Sequence, residues 1–283
     1  MQRSIRIVTA ADLEIADMIT MAAYQLSYSR KTELQRYLTL QPDGWYMALL
    51  GEQPAAFGGI VNYGLFSYVG MVGVLPTLQH YGLGTFLMEF LLSWAEQHRS
   101  PTILLDASDA GVNLYRKLGF VEDDKVLLLS LLEPPVCPAA LPANISRLQA
   151  HEIPELTAFD TPYFGAERAR VFQRLLQEYP NRAFVSRHPS GSITGYLFAQ
   201  ERTLGPWIAQ TSTDAENLLL SAFSLSFDTG LPYVLVSPMH QQALTLLQRY
   251  GFRQQRQLSH MRLGPSLPRQ RTMIYGQASF ALG

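Results

Sequence analysis

The sequence predicts a mixed α/β fold built twice: two tandem domains, each a central mixed β-sheet flanked by helices. Three observations carry this. Short apolar strands alternate with amphipathic helices, the order that gives a sheet covered by helices. The order of elements in the first half returns in the second. Between the halves lies Glu133-Pro134-Pro135-Val136-Cys137-Pro138-Ala139-Ala140-Leu141-Pro142, too rich in proline to be a helix or a central strand. The expected division is 1–132, a linker over 133–143, and 144–283.

In the first half, residues 5–8 alternate and read as a strand. Helices follow over 11–24, with Leu13, Ile15, Ala16, Ile19 and Ala23 on or near one face, and over 30–40. Strands over 45–50 and 55–62 flank the turn Gly51-Glu52-Gln53-Pro54. A strand over 66–74 leads into a glycine-bearing loop, which opens a helix over 82–98. The run over 103–107, with Asp106 near its end, reads as an apolar strand, the pattern of a strand covered on both faces. A short helix over 112–118 and a strand over 125–132 complete the half.

The repeat shows residue by residue. Ile5, Val8, Ala10, Asp12 and Leu13 align with Ile145, Leu148, Ala150, Glu152 and Ile153 at an offset of 140. Met47-Ala48 and Gly58 align with Phe184-Val185 and Gly195 at 137, Gly70 with Gly205 at 135, and Gly119-Phe120 with Gly251-Phe252 at 132. A smoothly shrinking offset is that of one fold copied with short deletions.

Composition limits the function classes. The chain has 283 residues, 47% hydrophobic, enough for sizeable cores. A net charge of −1 gives no reason to expect nucleic acid or an anionic membrane as partner. A lone cysteine, Cys137, excludes an internal disulfide framework and a multi-cysteine metal site, and its proline-rich setting argues against a catalytic thiol. The six histidines lack ligand spacing, so no metal is expected. Ser190-Gly191-Ser192 reads as a hairpin turn. The start has no apolar signal core and no run is long enough for a membrane span, so a cytoplasmic monomer or homodimer is the expectation.

The chemistry gathers in 72–115. A strand enters Gln79-His80-Tyr81-Gly82-Leu83-Gly84-Thr85, which opens directly into a helix. Backbone N–H groups and the positive end of a helix dipole meet there, a site suited to a phosphate or diphosphate. A Cβ at Gly82 or Gly84 is expected to keep the anion away from the backbone. Val74-x-Pro76-x-x-Gln79-x-x-Gly82-x-Gly84, followed by Leu114-Tyr115-Arg116-Lys117-Leu118-Gly119-Phe120, resembles the GNAT superfamily of N-acetyltransferases. Its signature is V-x-P-x-x-[RQ]-x-x-G-x-[GA] with a later L-Y-x-x-x-G-F.

The resemblance implies acetyl-CoA as co-substrate, without a metal, and a primary amine as acceptor, either a small molecule or a peptide lysine. It assigns the diphosphate to Gln79, His80, Gly82, Leu83, Gly84 and Thr85, and the pantetheine arm to the backbone of Val72, Gly73 and Val74. His80 and Tyr81 are open between touching CoA and facing solvent. Gln79 stands where arginine is commoner, so one phosphate contact lacks a charge. Tyr115 takes the place of the acid that protonates the leaving thiolate, or else is a packed aromatic. A thiol has a pKa near 8.5 and tyrosine near 10, so such a transfer runs readily at neutral pH. Ser108 stands where the family often has asparagine, and Asn113 is out of that register. Asp106 and Asp109 are each open between a base and a helix cap, and no base is assigned.

Attack is expected to be direct, with no acyl-enzyme. Tyr24, Tyr28, Tyr37 and Trp45 stand in the region where the acceptor is expected, although aromatics at such spacing also build cores. Arg168 is open between meeting a substrate carboxylate and pinning the two copies together. In the second copy Asp214 and Glu216 fall opposite Gly82 and Gly84, and Leu247 or Gln248 opposite Tyr115, so that copy is expected to bind no CoA. An intact first copy and a degenerate second, closed by a C-terminal strand over 275–282, resembles a bacterial subgroup of GNATs. The rival reading is a non-catalytic CoA-binding or scaffold protein.

Overall fold

The computed structural model describes residues 2–133 and 142–283. Most of the expected linker, with Cys137, lies outside the described residues. In chain order the elements are β1 (Arg3–Ile7), α1 (Leu13–Tyr24), α2 (Lys31–Leu40), β2 (Trp45–Leu50), β3 (Gln53–Asn62), β4 (Ser67–Val74), α3 (Leu83–Gln97), β5 (Ile103–Ala107), α4 (Asp109–Lys117) and β6 (Val121–Leu131). The second half gives β7 (Ile145–Arg147), α5 (Ile153–Phe164), α6 (Ala169–Glu178), β8 (Ala183–Arg187), β9 (Ile193–Ala199), β10 (Leu204–Ala209), α7 (Ser212–Phe223), β11 (Tyr233–Val236), α8 (Gln241–Arg249), β12 (Phe252–Leu263) and β13 (Ile274–Gly276).

The chain forms two compact units. The first comprises Met1–Leu105, Ala110–Val121 and Met261–Ser266. Its sheet runs β1-β2-β3-β4-β5, antiparallel except for the parallel pair β4–β5. Successive residues of β4 point to opposite faces. A Cβ on Gly73 would meet Ala23 of α1 at 2.7 Å, whereas the Val74 side chain lies 3.6 Å from a Cβ placed on Gly84 of α3. Thus α1 and α3 cover opposite faces. The buried stripe of α3, Leu83, Leu87, Met88, Leu91, Trp94 and Ala95, has the helical period and packs on β3 and β4. Trp45 is fully buried, stacked on Tyr37 at 5.1 Å and on Phe57 at 5.8 Å.

The second unit comprises Asp106–Asp109, Glu122–His260 and Leu267–Gly283. Its main sheet runs β13-β10-β9-β8-β7, and β6 pairs antiparallel with β11. Leu127, Leu129 and Leu131 of β6 join a core with Phe184, Leu197, Trp207, Leu218 and Phe223. Burying each such side chain contributes about 1.5–3 kcal/mol.

The units do not follow the expected boundary at 132. The last strand of the first copy, β6, belongs almost wholly to unit 2, and the end of the last strand of the second copy belongs to unit 1. There Thr102 Oγ1 donates to Pro265 O at 2.9 Å. β6 thus passes to unit 2 in exchange for only the end of β12, since residues 252–260 stay in unit 2. A strand's own residues fix its periodicity but not the sheet edge it joins, because ladder hydrogen bonds are made by backbone alone. The C-terminal strand also differs from the expected 275–282. It is Ile274–Gly276, after which the chain turns back and Ala278 N–H donates to Gly283 O at 2.9 Å.

Arg168 is buried within unit 2 and pins no copy to another. It makes a two-pronged pair with Asp160 at 2.9 and 2.8 Å, reaches Tyr196 Oη at 3.0 Å and Gly283 O at 3.3 Å, and lies 3.9 Å over the Phe164 ring. Its buried charge is already matched, so it has no open face for a substrate carboxylate. Replacing Asp160 by Ala leaves a buried cation without its counter-ion. The expected loss is about 3–5 kcal/mol of stability, read as a lower urea midpoint with an unchanged slope.

Candidate active site

The site begins where two strands part. β4 pairs with β5 only through Ser67↔Ile103, Tyr68↔Leu104 and Val69↔Leu105. Beyond Val69, β4 runs on to Val74 with no β5 partner. The β3–β4 register shifts in the same place, from Gly59↔Gly70 to Phe57↔Gly73, so that Met71 and Val72 stand opposite Gly58 alone. This is a bulge, and Met71 takes the left-handed φ of 60° that the extra residue demands. Such backbone is costly for a side-chain-bearing residue and clusters at functional sites.

The alternation of antiparallel hydrogen bonds then decides which groups are free. Leu75 N–H donates to Ala55 O at 2.9 Å, so Leu75 and Gly73 turn their backbone groups to β3. Val72 and Val74 turn theirs to the flank that β5 has left. The Tyr24 hydroxyl donates to Val72 O at 2.8 Å. The same alternation turns the Val72 N–H and the N–H and C=O of Val74 to that flank. Of the three backbone positions expected to hold a carrier arm, Val72 and Val74 therefore face the flank and Gly73 does not.

The loop after Val74 makes a single 3-10 turn, Pro76–Leu78, then carries two left-handed residues, His80 and Gly82, each with φ 70°. Gln79, His80, Tyr81 and Gly82 are exposed. Gly82 caps α3, and the first bond of the helix is Phe86 N–H to Gly82 O at 3.0 Å. The N–H groups of Leu83, Gly84 and Thr85 consequently have no acceptor in the helix. No side chain caps this end, and no acid stands in its first turn. The two glycines have different roles. Gly82 needs its left-handed φ and is exposed, whereas a Cβ on Gly84 would point inward, 3.4 Å from Leu114 Cδ2. A Cβ on Gly84 would make only ordinary contacts on that inner side, so only Gly82 fits the expectation of a Cβ that would stand between the backbone and an anion.

Leu114 precedes Tyr115, so the same contact brings α4 to the start of α3. Tyr115 is 8% exposed and packs edge-on to Phe120 at 5.8 Å. Its hydroxyl has no hydrogen-bond partner among the described residues, and burial pushes its pKa up from 10.0. The phenol therefore keeps its proton throughout the neutral range. Arg3 was not legible as part of this region. It comes from β1 and places Nη1 3.4 Å from Gly82 O, with its guanidinium 5.0 Å over the Phe86 ring.

Other expected residues fall elsewhere. Asp106 is buried in unit 2 and accepts from His260 Nδ1 at 2.7 Å, so its carboxylate is engaged with a histidine. Asp109 is the first residue of α4. Tyr37 and Trp45 are core residues, while Tyr28 is 38% exposed. In the second copy, the helix matching α3 is α7, and its N-terminus already holds a carboxylate. Asp214 accepts from Ser186, Asn144 and Thr211, and its N–H donates to Thr211 Oγ1 at 3.0 Å. The flank of β10, which matches that of β4, is occupied by β13, whose next residue Gln277 donates to Leu235 O at 2.9 Å. Among the described residues, no three His, Cys, Asp or Glu side chains converge as metal ligands, and no helix is long and apolar enough to cross a membrane.

Known proteins resemble both halves. A profile of the acetyltransferase (GNAT) family matches residues 13–120, and one of an acetyltransferase (GNAT) domain matches 156–276. The uncharacterized N-acetyltransferase YitH of Bacillus subtilis (strain 168) is 25% identical over 165 residues, which span 57% of this chain and 57% of that protein. A crystal structure from Pyrococcus horikoshii, assigned provisionally as an acetyltransferase, superposes with a TM-score of 0.87 at 26% identity, over 99% of this chain and 96% of that one. A GCN5-related N-acetyltransferase from Sphaerobacter thermophilus shares the fold, with a TM-score of 0.69 at 17% identity over 94% and 98% of the two chains.

The Asp106–His260 pair makes stability pH-dependent. Burial, with Arg271 and Arg269 opposing a second positive charge, pulls the His260 pKa down from 6.5 to about 4 despite the Asp106 hydrogen bond. The folded state holds the neutral ring. Its contribution is complete above pH 6.5 and is lost as pH falls toward 4, at about 1.4 kcal/mol per pH unit for one proton. Urea unfolding at several pH values is expected to show this acid slope reduced by about one proton in His260→Asn, which retains a donor toward Asp106 but cannot titrate.

Proposed function

The chain belongs to the GNAT acetyltransferase superfamily, carrying two of its domains in tandem, and from that premise we propose that the first copy is an acetyl-CoA-dependent N-acetyltransferase acting on a primary amine. The acceptor is a small molecule or a lysine side chain. The observation that carries this reading is continuity. The freed edge of β4 leads through one short loop into the uncapped end of α3, so backbone groups for a carrier arm and for its phosphates follow one another along the chain.

The residues fit the cofactor. The N–H groups of Leu83, Gly84 and Thr85, at the positive end of α3, would hold the diphosphate, and exposed Gly82 lets it approach. Val74 would pair with an amide of the pantetheine arm, as in an added strand. The Val72 N–H faces the same flank, and a backbone donor of this kind at a developing oxyanion contributes about 3–4 kcal/mol in acyl transfer. Acetyl-CoA supplies the activated acetyl group.

The neutral amine nitrogen forms its bond to the thioester carbonyl carbon and the carbon–sulfur bond breaks. Tyr115 Oη gives its proton to the departing thiolate and regains one from solvent, while the amine's proton leaves to water. The phenol is already protonated at neutral pH, and burial raises its pKa further. The second copy, by this reading, binds no CoA. The Asp214 carboxylate and strand β13 take the places of diphosphate and arm.

Thermal melts with and without acetyl-CoA on wild type and Gly82→Asp test the site. Ligand at a hundred times its dissociation constant stabilises by about 2.7 kcal/mol, or several degrees. The wild type is expected to shift and Gly82→Asp not to. No shift in either would sink the cofactor reading and leave a two-copy scaffold. In the presence of an accepted amine, Tyr115→Phe is expected to lower kcat about 100-fold with KM nearly unchanged. An unaltered kcat would make Tyr115 a packing residue.

A further inference from the structure

We infer that Arg3, at the start of β1, is a phosphate-binding residue of the first copy and supplies the positive charge that the loop itself lacks; this rests on the cofactor reading above. The loop from Gln79 to Thr85 contains no lysine or arginine. It offers backbone N–H groups and partial charge only. CoA carries a diphosphate and a 3′-phosphate, and an exposed N-terminus without a full cation holds such an anion weakly in salt.

Arg3 stands where a cation is needed. Its Nη1 lies 3.4 Å from Gly82 O and would lie 3.0 Å from a Cβ on Gly82, so the guanidinium shares the open side of the residue that caps α3. The Phe86 ring, in the first turn of that helix, supports it at 5.0 Å. One carbonyl bond uses little of a guanidinium with five donors, and its fork suits phosphate oxygens.

The contrast with Arg6 on the same strand sharpens the inference. Arg6 is committed to Asp12 by bonds of 2.9 and 2.7 Å. Arg3 has no carboxylate partner among the described residues, and none stands in the first turn of α3. Alternation along β1 sends Arg3 toward α3 and Arg6 away from it. A charge left without a counter-ion, beside a helix end left without a cap, is an arrangement that an anionic ligand completes.

The experiment is isothermal titration of wild type, Arg3→Gln, Arg3→Lys and Arg6→Gln with CoA and with 3′-dephospho-CoA, at low and at high salt. Ligand-free melts and circular dichroism establish that each variant is folded. Arg3→Gln is expected to bind CoA about tenfold more weakly than wild type, Arg3→Lys to recover part of the loss, and Arg6→Gln to bind as wild type does. The difference between Arg3→Gln and wild type is expected to shrink at high salt. If the contact is to the diphosphate, both ligands lose affinity alike; if it is to the 3′-phosphate, only CoA does. Wild-type affinity in a folded Arg3→Gln would overturn the inference while leaving the cofactor site intact. A wild type that binds neither ligand would overturn the cofactor reading and this inference together.

Discussion

One constraint shapes the first unit: β4 keeps its β3 partner after it has lost β5. A strand edge with unpaired N–H and C=O groups is a liability unless something covers it or a ligand is meant to pair with it. Here the break is sharp, after Val69, and a bulge at Met71 and Val72 re-aims the backbone just beyond it. The left-handed Met71 is tolerated because sheet and helix packing hold both sides of it. The site's backbone groups, the turn of the loop and the entry into α3 all follow from that parting.

The second copy shows the same problem met in another way. The edge of β10 is paired with β13, and the start of α7 is satisfied by Thr211 and the carboxylate of Asp214. The physics of the exposed edge and the uncapped helix is common to both halves. In the first the needed groups are left open, and in the second the chain provides them itself. Divergence between the copies is therefore a matter of a few polar side chains and one short strand, with the layered fold retained.

Much of this was legible because it is written in local pattern. The period of Leu83, Leu87, Leu91 and Trp94 gives the helix, the apolar run Ile103–Ala107 the covered strand, and Gly82 the turn, since few other residues adopt its φ readily. The acidic start of α7 was equally plain. What stayed hidden depends on contacts distant in sequence. Arg3 lies ahead of the strand read over 5–8, and only the fold brings it 79 positions along to Gly82. Asp106 reads as an available carboxylate until β12 sets His260 against it. Arg168 is an exposed-looking charge in a helix start that the fold buries against Asp160. The exchange of β6 for the end of β12 leaves no mark in either strand, because each keeps the alternation it would need in either sheet.

That exchange has a consequence for how the protein comes into being. Unit 1 carries the candidate chemistry near its middle, yet it includes Met261–Ser266, close to the end of the chain. On the ribosome, a first half emerging alone would lack that segment and hold β6 without β11, its partner in the finished molecule. Domains usually fold as they are made, N-terminal first. This protein cannot finish its first unit in that order. The unit that bears the open strand edge waits until residues 261–266 have been made.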